Sequence, residues 1–179
     1  MEDNLEKYIE GCLQNDPRSQ ELFYKHCFKD LLKISLRYHS NYDDAVSSFN
    51  KAMMKALTKL SQYRRDGSVF GWVAKIITTT CLNELRAKSL YTKREITEDI
   101  ADSFSISPEV YKNTTEKELL NIICGLPDAT RIVFNLFTME GFSHKEIAKE
   151  LKISEGTSKW HLNNARKMIK EKYYNLNNA

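Results

Sequence analysis

Between Ala45 and Leu60 the apolar residues fall at Ala45, Phe49, Ala52, Met53, Ala56, Leu57 and Leu60, a stripe that closes only at about 3.6 residues per turn. No segment of the chain carries a strand pattern that competes with such stripes, and no internal repeat is present. The chain is therefore committed to helices packed through their apolar faces. Only 6 Gly and 3 Pro among 179 residues interrupt them, which favours long helices over many tight turns. With 41% hydrophobic residues there is material for packed cores, and the length suits one large domain or two small ones.

Leu5, Tyr8, Ile9, Cys12 and Leu13 mark a short first helix. Asp16 is placed to cap the next, with Pro17 preorganised at its first position, and Phe23, Cys27, Leu31 and Ile34 turned inward as far as about Tyr38. After the Ala45–Leu60 stripe, the turn "RRDGS" precedes a fourth helix from about Ser68 to Leu90, with Val69, Trp72, Val73, Ile76 and Ile77 on one side. The periodicity then lapses over "TKREITEDIADSFSISPEVYKNTT", which leans acidic through Glu95, Glu98, Asp99, Asp102 and Glu109. A stretch of about twenty residues without pattern is longer than compact domains usually hold, so it reads as an extended linker. A capping box at Thr115 and Glu118, a stop at Gly125 and a restart at Leu126-Pro127 open a second helical region. Glu140-Gly141 breaks it, Ser143 and Glu146 cap a short helix ending near Leu151, and Ser154 caps the last one.

The fold class is thus all-α: two small helical domains, residues 1–91 and 114–179, joined by an acidic linker over 92–113. The second ends in a helix-turn-helix, with Ala148 inward and Ile153 filling the corner. The four cysteines, Cys12, Cys27, Cys81 and Cys124, lack paired spacing and read as reduced, buried thiols. No run approaches the roughly 18 apolar residues of a membrane span, so the expectation is a cytoplasmic protein without membrane insertion.

Net charge is only +3, and what matters is where the bases lie. From Gly156 to Lys172 the final helix carries Lys159, Arg166, Lys167, Lys170 and Lys172 against one acid, Glu171. Trp160 lies roughly 160° round that helix from Leu162, away from the face that Leu162, Ala165 and Ile169 bury. An outward Trp beside Lys159, Asn163 and Asn164 suits the major groove, where Asn can bridge adenine and lysines neutralise phosphates. A second basic segment, Tyr63 to Arg94, interleaves Arg64, Arg65, Lys75, Arg86, Lys88, Lys93 and Arg94 with Tyr63, Phe70 and Trp72. Cations for the backbone and aromatics for an unstacked base are what DNA opening requires. The spacing of Trp72 with Val69, Val73 and Ile76 reads as core packing, leaving Phe70 and Tyr63 to meet DNA.

"LPDATRIVFNLFTMEGFSHKEIAKELKISEGTSKWHLNNARKMI" resembles region four of the extracytoplasmic-function (ECF) sigma factors of bacterial RNA polymerase. The resemblance rests on Leu126-Pro127, Arg131, Val133-Phe134, Glu140-Gly141, Glu146-Ile147-Ala148, Ile153 to Thr157, and Ala165-Arg166. Lys152 stands where that family often has Gly; a left-handed backbone there costs a non-Gly residue about 1 kcal/mol. The first domain is similar to region two, less closely, through Val69-Phe70, Trp72 and Leu85-Arg86, with Thr79 where the family commonly has Asn and Asn83 where Asp or Asn is expected.

The resemblance implies a sigma factor that binds core RNA polymerase and directs promoter recognition, melting and initiation. It places minus-thirty-five contacts on Thr157, Lys159, Trp160, Asn163, Asn164 and Lys167. Minus-ten contacts fall on Tyr63, Phe70, Lys75, Thr79, Asn83 and Arg86. Polymerase docking falls on Asp44, Ser47, Phe49, Asn50, Lys51 and Met53. Because Ser47, Asn50 and Lys51 stand where a Gln-acid pair is usual, docking is expected to lean on apolar contact near Phe49 and Met53. The linker is expected to thread the polymerase channels that later hold RNA; a solvated tether fits its composition equally.

The implied partners are core RNA polymerase, promoter DNA and an anti-sigma inhibitor protein, with nucleoid association when bound to polymerase. No small-molecule substrate, cofactor or metal is implied. No phosphate-binding Gly loop and no nucleophile–His arrangement points to an enzyme. His26, His39, His144 and His161 lack metal-ligand spacing and read as surface or half-buried residues, with His161 at the edge of the DNA-facing helix. The alternative is a helix-turn-helix regulator whose N-terminal domain senses a signal or dimerises.

Overall fold

The computed structural model describes residues 2–39, 41–91 and 114–177. Among the described residues every regular element is helical, and the chain divides into two compact units, Met1–Ile96 and Thr97–Ala179. The acidic linker expected over 92–113 lies outside the described residues.

The first unit contains α1 (Glu2–Leu13), α2 (Pro17–Leu36), α3 (Tyr42–Thr58) and α4 (Val69–Tyr91), with a 3₁₀ turn at Leu60–Gln62. Local chemistry starts its helices. The Asp16 carboxylate accepts the Ser19 amide at 2.8 Å, with Pro17 at the first position of α2. Asn41 does the same for α3 through the Asp44 amide, also at 2.8 Å. Each satisfies a donor that the first helical turn leaves open. Central α2 packs on α1, α3 and α4. Phe23, Cys27 and Leu32 of α2, Phe49 and Met53 of α3, and Val73, Ile77 and Cys81 of α4 are almost wholly buried between them. Gly11 permits the close approach of α1 to α2: a Cβ there would lie 2.0 Å from the Ser19 hydroxyl oxygen. All four cysteines are buried, and none is in a disulfide.

The second unit contains α5 (Thr114–Cys124), α6 (Asp128–Phe134), α7 (His144–Leu151) and α8 (Glu155–Asn177). A wider π turn, Asn135–Met139, continues α6; its last carbonyl pairing runs from the Glu140 amide to Asn135 O, 3.1 Å. Nothing in the sequence distinguished that turn from ordinary helix. α5 begins at Thr114, beside the capping box expected at Thr115 and Glu118; the Thr115 side chain lies outside the described residues. Leu120, Ile123, Leu126, Val133, Leu136, Ile147, Leu162 and Ala165 form the core.

The C-terminal end of α5 is held by two cations. Arg131, 1% exposed, donates to Cys124 O at 2.8 Å and to the Asp128 carboxylate at 2.6 Å. Lys172 donates to Gly125 O at 2.8 Å, tying the far half of α8 to α5. Positive charge suits carbonyls left open at a helix C-terminus.

Candidate nucleic-acid interface

The last two helices, α7 and α8, are joined by a three-residue turn, Lys152 to Ser154, the length expected of a helix-turn-helix. Ser143 and Glu146 make a complete capping box at the start of α7, and Ile147 is buried behind it. At the corner Lys152 adopts φ 56° and ψ 42°, the left-handed conformation anticipated there, while the Ile153 amide returns to Ala148 O at 3.1 Å. Ser154 opens α8 by accepting the Thr157 amide at 2.9 Å, and its hydroxyl pairs with that of Thr157 at 2.8 Å. Ser158, Leu162 and Ala165 then face the core.

The opposite face of α8 carries Trp160, Asn163 and Lys167, at the i, i+3, i+7 spacing that aligns side chains along one side. Trp160 is 61% exposed, with its ring 4.9 Å from that of His161. Lys159 and Asn163 are exposed and Asn164 is half-buried at the edge. Two bases counted from sequence do different work. Lys172 turns back to α5, and Arg166 lies over the Phe137 ring at 5.9 Å.

Two imidazoles seat α8 on its scaffold. His144 Nδ1 is 2.9 Å from the buried Ser158 hydroxyl and its ring stacks on Phe137 at 4.6 Å. His161 Nδ1 is 3.0 Å from the Thr130 hydroxyl, and burial lowers its pKa below the ordinary 6.5. His161 is thus part of the packing and does not reach outward from the helix edge.

In the first unit Lys75, Thr79, Asn83 and Arg86 recur at i, i+4, i+8 and i+11 and so line one side of α4. The Thr79 hydroxyl donates to Lys75 O at 2.8 Å, and Arg86 donates to the Asn83 side-chain oxygen at 3.2 Å. Phe70 does not join them. It sits roughly 140° round the helix from Lys75, and its ring lies 5.4 Å from that of His26 on α2. Trp72, expected to pack in the core, is instead half-buried three residues before Lys75, with its ring 5.7 Å from that of Tyr63. The Tyr63 hydroxyl donates to Gly67 O and so braces the turn.

The docking face needs a larger correction. Phe49 is 0% and Met53 1% exposed, so neither can meet a partner. Both belong to the apolar stripe with Ala45, Ala52 and Ala56, and a side chain cannot serve core and surface at once. The exposed apolar residue of α3 is Met54, 66% exposed. It falls four residues after Asn50 and seven after Ser47, a spacing that was readable in the sequence. Asp44, half-buried, is tied to the Asn41 cap. Asn50 accepts the Tyr24 hydroxyl at 2.7 Å, and Lys51 reaches across to Glu84 of α4 at 2.8 Å.

Among the described residues no group of His, Cys, Asp or Glu could hold a metal ion, and no helix is long and apolar enough to cross a membrane.

The family profile described as Sigma-70, region 4 matches residues 116–169, which takes in most of α5, all of α6 and α7, and α8 as far as Ile169. The second unit is therefore a sigma-70 region 4 domain. Over 78% of its length the chain is 24% identical to the ECF RNA polymerase sigma factor SigM of Mycobacterium tuberculosis, covering 68% of that protein. It is 22% identical to the ECF RNA polymerase sigma-E factor of Haemophilus influenzae, with 92% of each chain covered. Its fold matches that of the sigma factor RpoE from Bartonella quintana, solved in complex with the anti-sigma factor NepR. That match has a TM-score of 0.53 and 18% identity, over 86% of this chain and 96% of the other. The region 4 match and these relatives make the chain similar to ECF sigma factors, and they support a role in directing transcription initiation.

Proposed function

We propose that residues 1–91 and 114–179 are separately folding domains that divide the work of a sigma factor. The solvent face of α3, through Ser47, Asn50 and Met54, docks on core RNA polymerase. The Lys75–Arg86 side of α4, with Trp72 and Tyr63 at its start, takes the minus-ten element. The Trp160–Asn163–Lys167 side of α8, flanked by Lys159 and Asn164, reads the minus-thirty-five element in the major groove. The observation that carries this reading is Trp160. A large aromatic left 61% exposed on a basic, amide-bearing helix face, behind a fully formed helix-turn-helix, is suited to a groove and wasted on solvent.

Thr157 is occupied with the cap of α8 and contributes through the orientation of that helix. An anti-sigma inhibitor protein is a further partner, a reading supported by the matched RpoE complex with NepR. The chain works in the bacterial cytoplasm, at the nucleoid when polymerase-bound, and uses no small-molecule substrate.

The test is reconstituted run-off transcription with core polymerase over a library of upstream DNA. Discrete start sites that require the chain are expected, and they should be lost when Trp160 and Asn163 are both replaced by Ala. Duplex binding without polymerase-dependent initiation would sink the proposal.

A further inference from the structure

The basic side of α4 has an acid at its edge. Glu84 and Asp66 are the acids between Tyr63 and Arg94, and Glu84 directly follows Asn83. Its carboxylate is half-buried on the seam between α3 and α4 and is fully engaged there. One oxygen meets Lys51 Nζ at 2.8 Å; the other accepts the Ser48 hydroxyl and lies 4.0 Å from His39 Nε2. Lys55, one turn on from Lys51, also leans onto α4 and donates to the Thr80 hydroxyl at 3.3 Å.

Burial pushes the Glu84 carboxyl upward, but the Lys51 ammonium and the Ser48 hydroxyl outweigh it and hold the pKa below the ordinary carboxylate value. The negative charge is therefore present. A bare carboxylate there acts on phosphates within a Debye length, about 8 Å at physiological salt. It would subtract from the field of Lys75 and Arg86. An ion pair whose lysine is 61% exposed contributes little to folding stability, so its effect on the neighbouring field is the larger consequence.

We propose that Lys51 is a positioning residue of the DNA interface rather than a polymerase contact: it reaches from α3 to neutralise Glu84 and keeps the minus-ten side of α4 attractive to phosphates. This rests on the reading of α4 as the minus-ten surface.

The experiment uses holoenzyme assembled from core polymerase and the full chain. It measures affinity for forked DNA that exposes a single-stranded minus-ten segment, and separately the affinity for core. Lys51→Met should weaken forked-DNA binding about fivefold at low salt, an effect that fades as salt rises. Lys51→Arg should bind as the natural chain does. Glu84→Gln added to Lys51→Met should restore affinity, because the pair then again carries no net charge. Core affinity should stay unchanged in all three. Lost core affinity that Glu84→Gln does not restore would place Lys51 on the polymerase and overturn the proposal, as would Lys51→Met without effect on forked DNA. Asn83→Ala and Arg86→Ala separate the two failures. If they weaken forked-DNA binding while Lys51→Met does not, only the present proposal falls. If they also leave it unchanged, the reading of α4 falls.

Discussion

Trp160 keeps 61% of its surface exposed while Leu162 and Ala165 carry the packing of α8, so its removal should hardly touch folding. Trp160→Ala is expected to reduce promoter affinity with the thermal midpoint nearly unchanged; truncating a buried Trp would instead cost about 3–5 kcal/mol of stability. Melting and promoter binding measured on this one variant decide between the two. Asn163→Ala should cost about 1–3 kcal/mol on the preferred sequence and relax base preference at one position. Lys167 and Lys172 look alike in a charge count, yet one faces solvent and the other donates to Gly125 O. Lys167→Ala should lower the salt slope of DNA binding by about one unit. Lys172→Met should leave that slope alone and destabilise the fold by about 1 kcal/mol. If both lower the slope equally, the assignment of Lys172 to α5 is wrong. That sequence could not tell the two lysines apart is physical: a lysine's stem is long enough to swing either way, and only the neighbouring open carbonyl decides.

At the scale of elements the sequence was far more informative, because caps and periodicity act locally. Asp16, Ser143 and Ser154 open the helices they were expected to open, and the Lys152 corner has the conformation anticipated. Phe49 and Met53 show where reasoning by resemblance overrode periodicity. Their stripe with Ala45 and Ala56 already placed them inside, and Met54 was the outward residue. The exchange of Phe70 and Trp72 was not readable, since the first turn of a helix can lean on either neighbour. How α8 is seated has a pH consequence. Burial keeps the His161 pKa below 6.5, so the unfolded chain takes up a proton more readily than the folded one. The contribution of neutral His161 is complete above about pH 7 and is lost as pH falls through 6.5 and on through the lowered folded value. Thermal melts of the full chain should therefore fall over that window, and His161→Gln should flatten the decline. An unchanged slope in the variant would assign the effect elsewhere.

For the whole molecule, each unit has its own core, and the residues proposed for each task fall within one unit. Residues 1–91 alone should fold and bind core polymerase, and residues from about 113 onward should fold and bind duplex promoter DNA weakly. Circular dichroism and binding on the two fragments check this; if neither folds alone, the two-domain reading fails. The acidic linker was read from missing pattern and charge, which carry no geometry, so its path could not be derived from sequence. The buried cysteines add something of a different kind. Burial pushes the Cys27 thiol up to about 12 and those of Cys12 and Cys81 to about 11, so almost no thiolate exists to attack an alkylating reagent while the fold is closed. Labelling must wait for the protein to breathe. Cys12, Cys27 and Cys81 report the openings of the first unit and Cys124 those of the second, so the chain carries its own timer for each half, already written into its natural sequence.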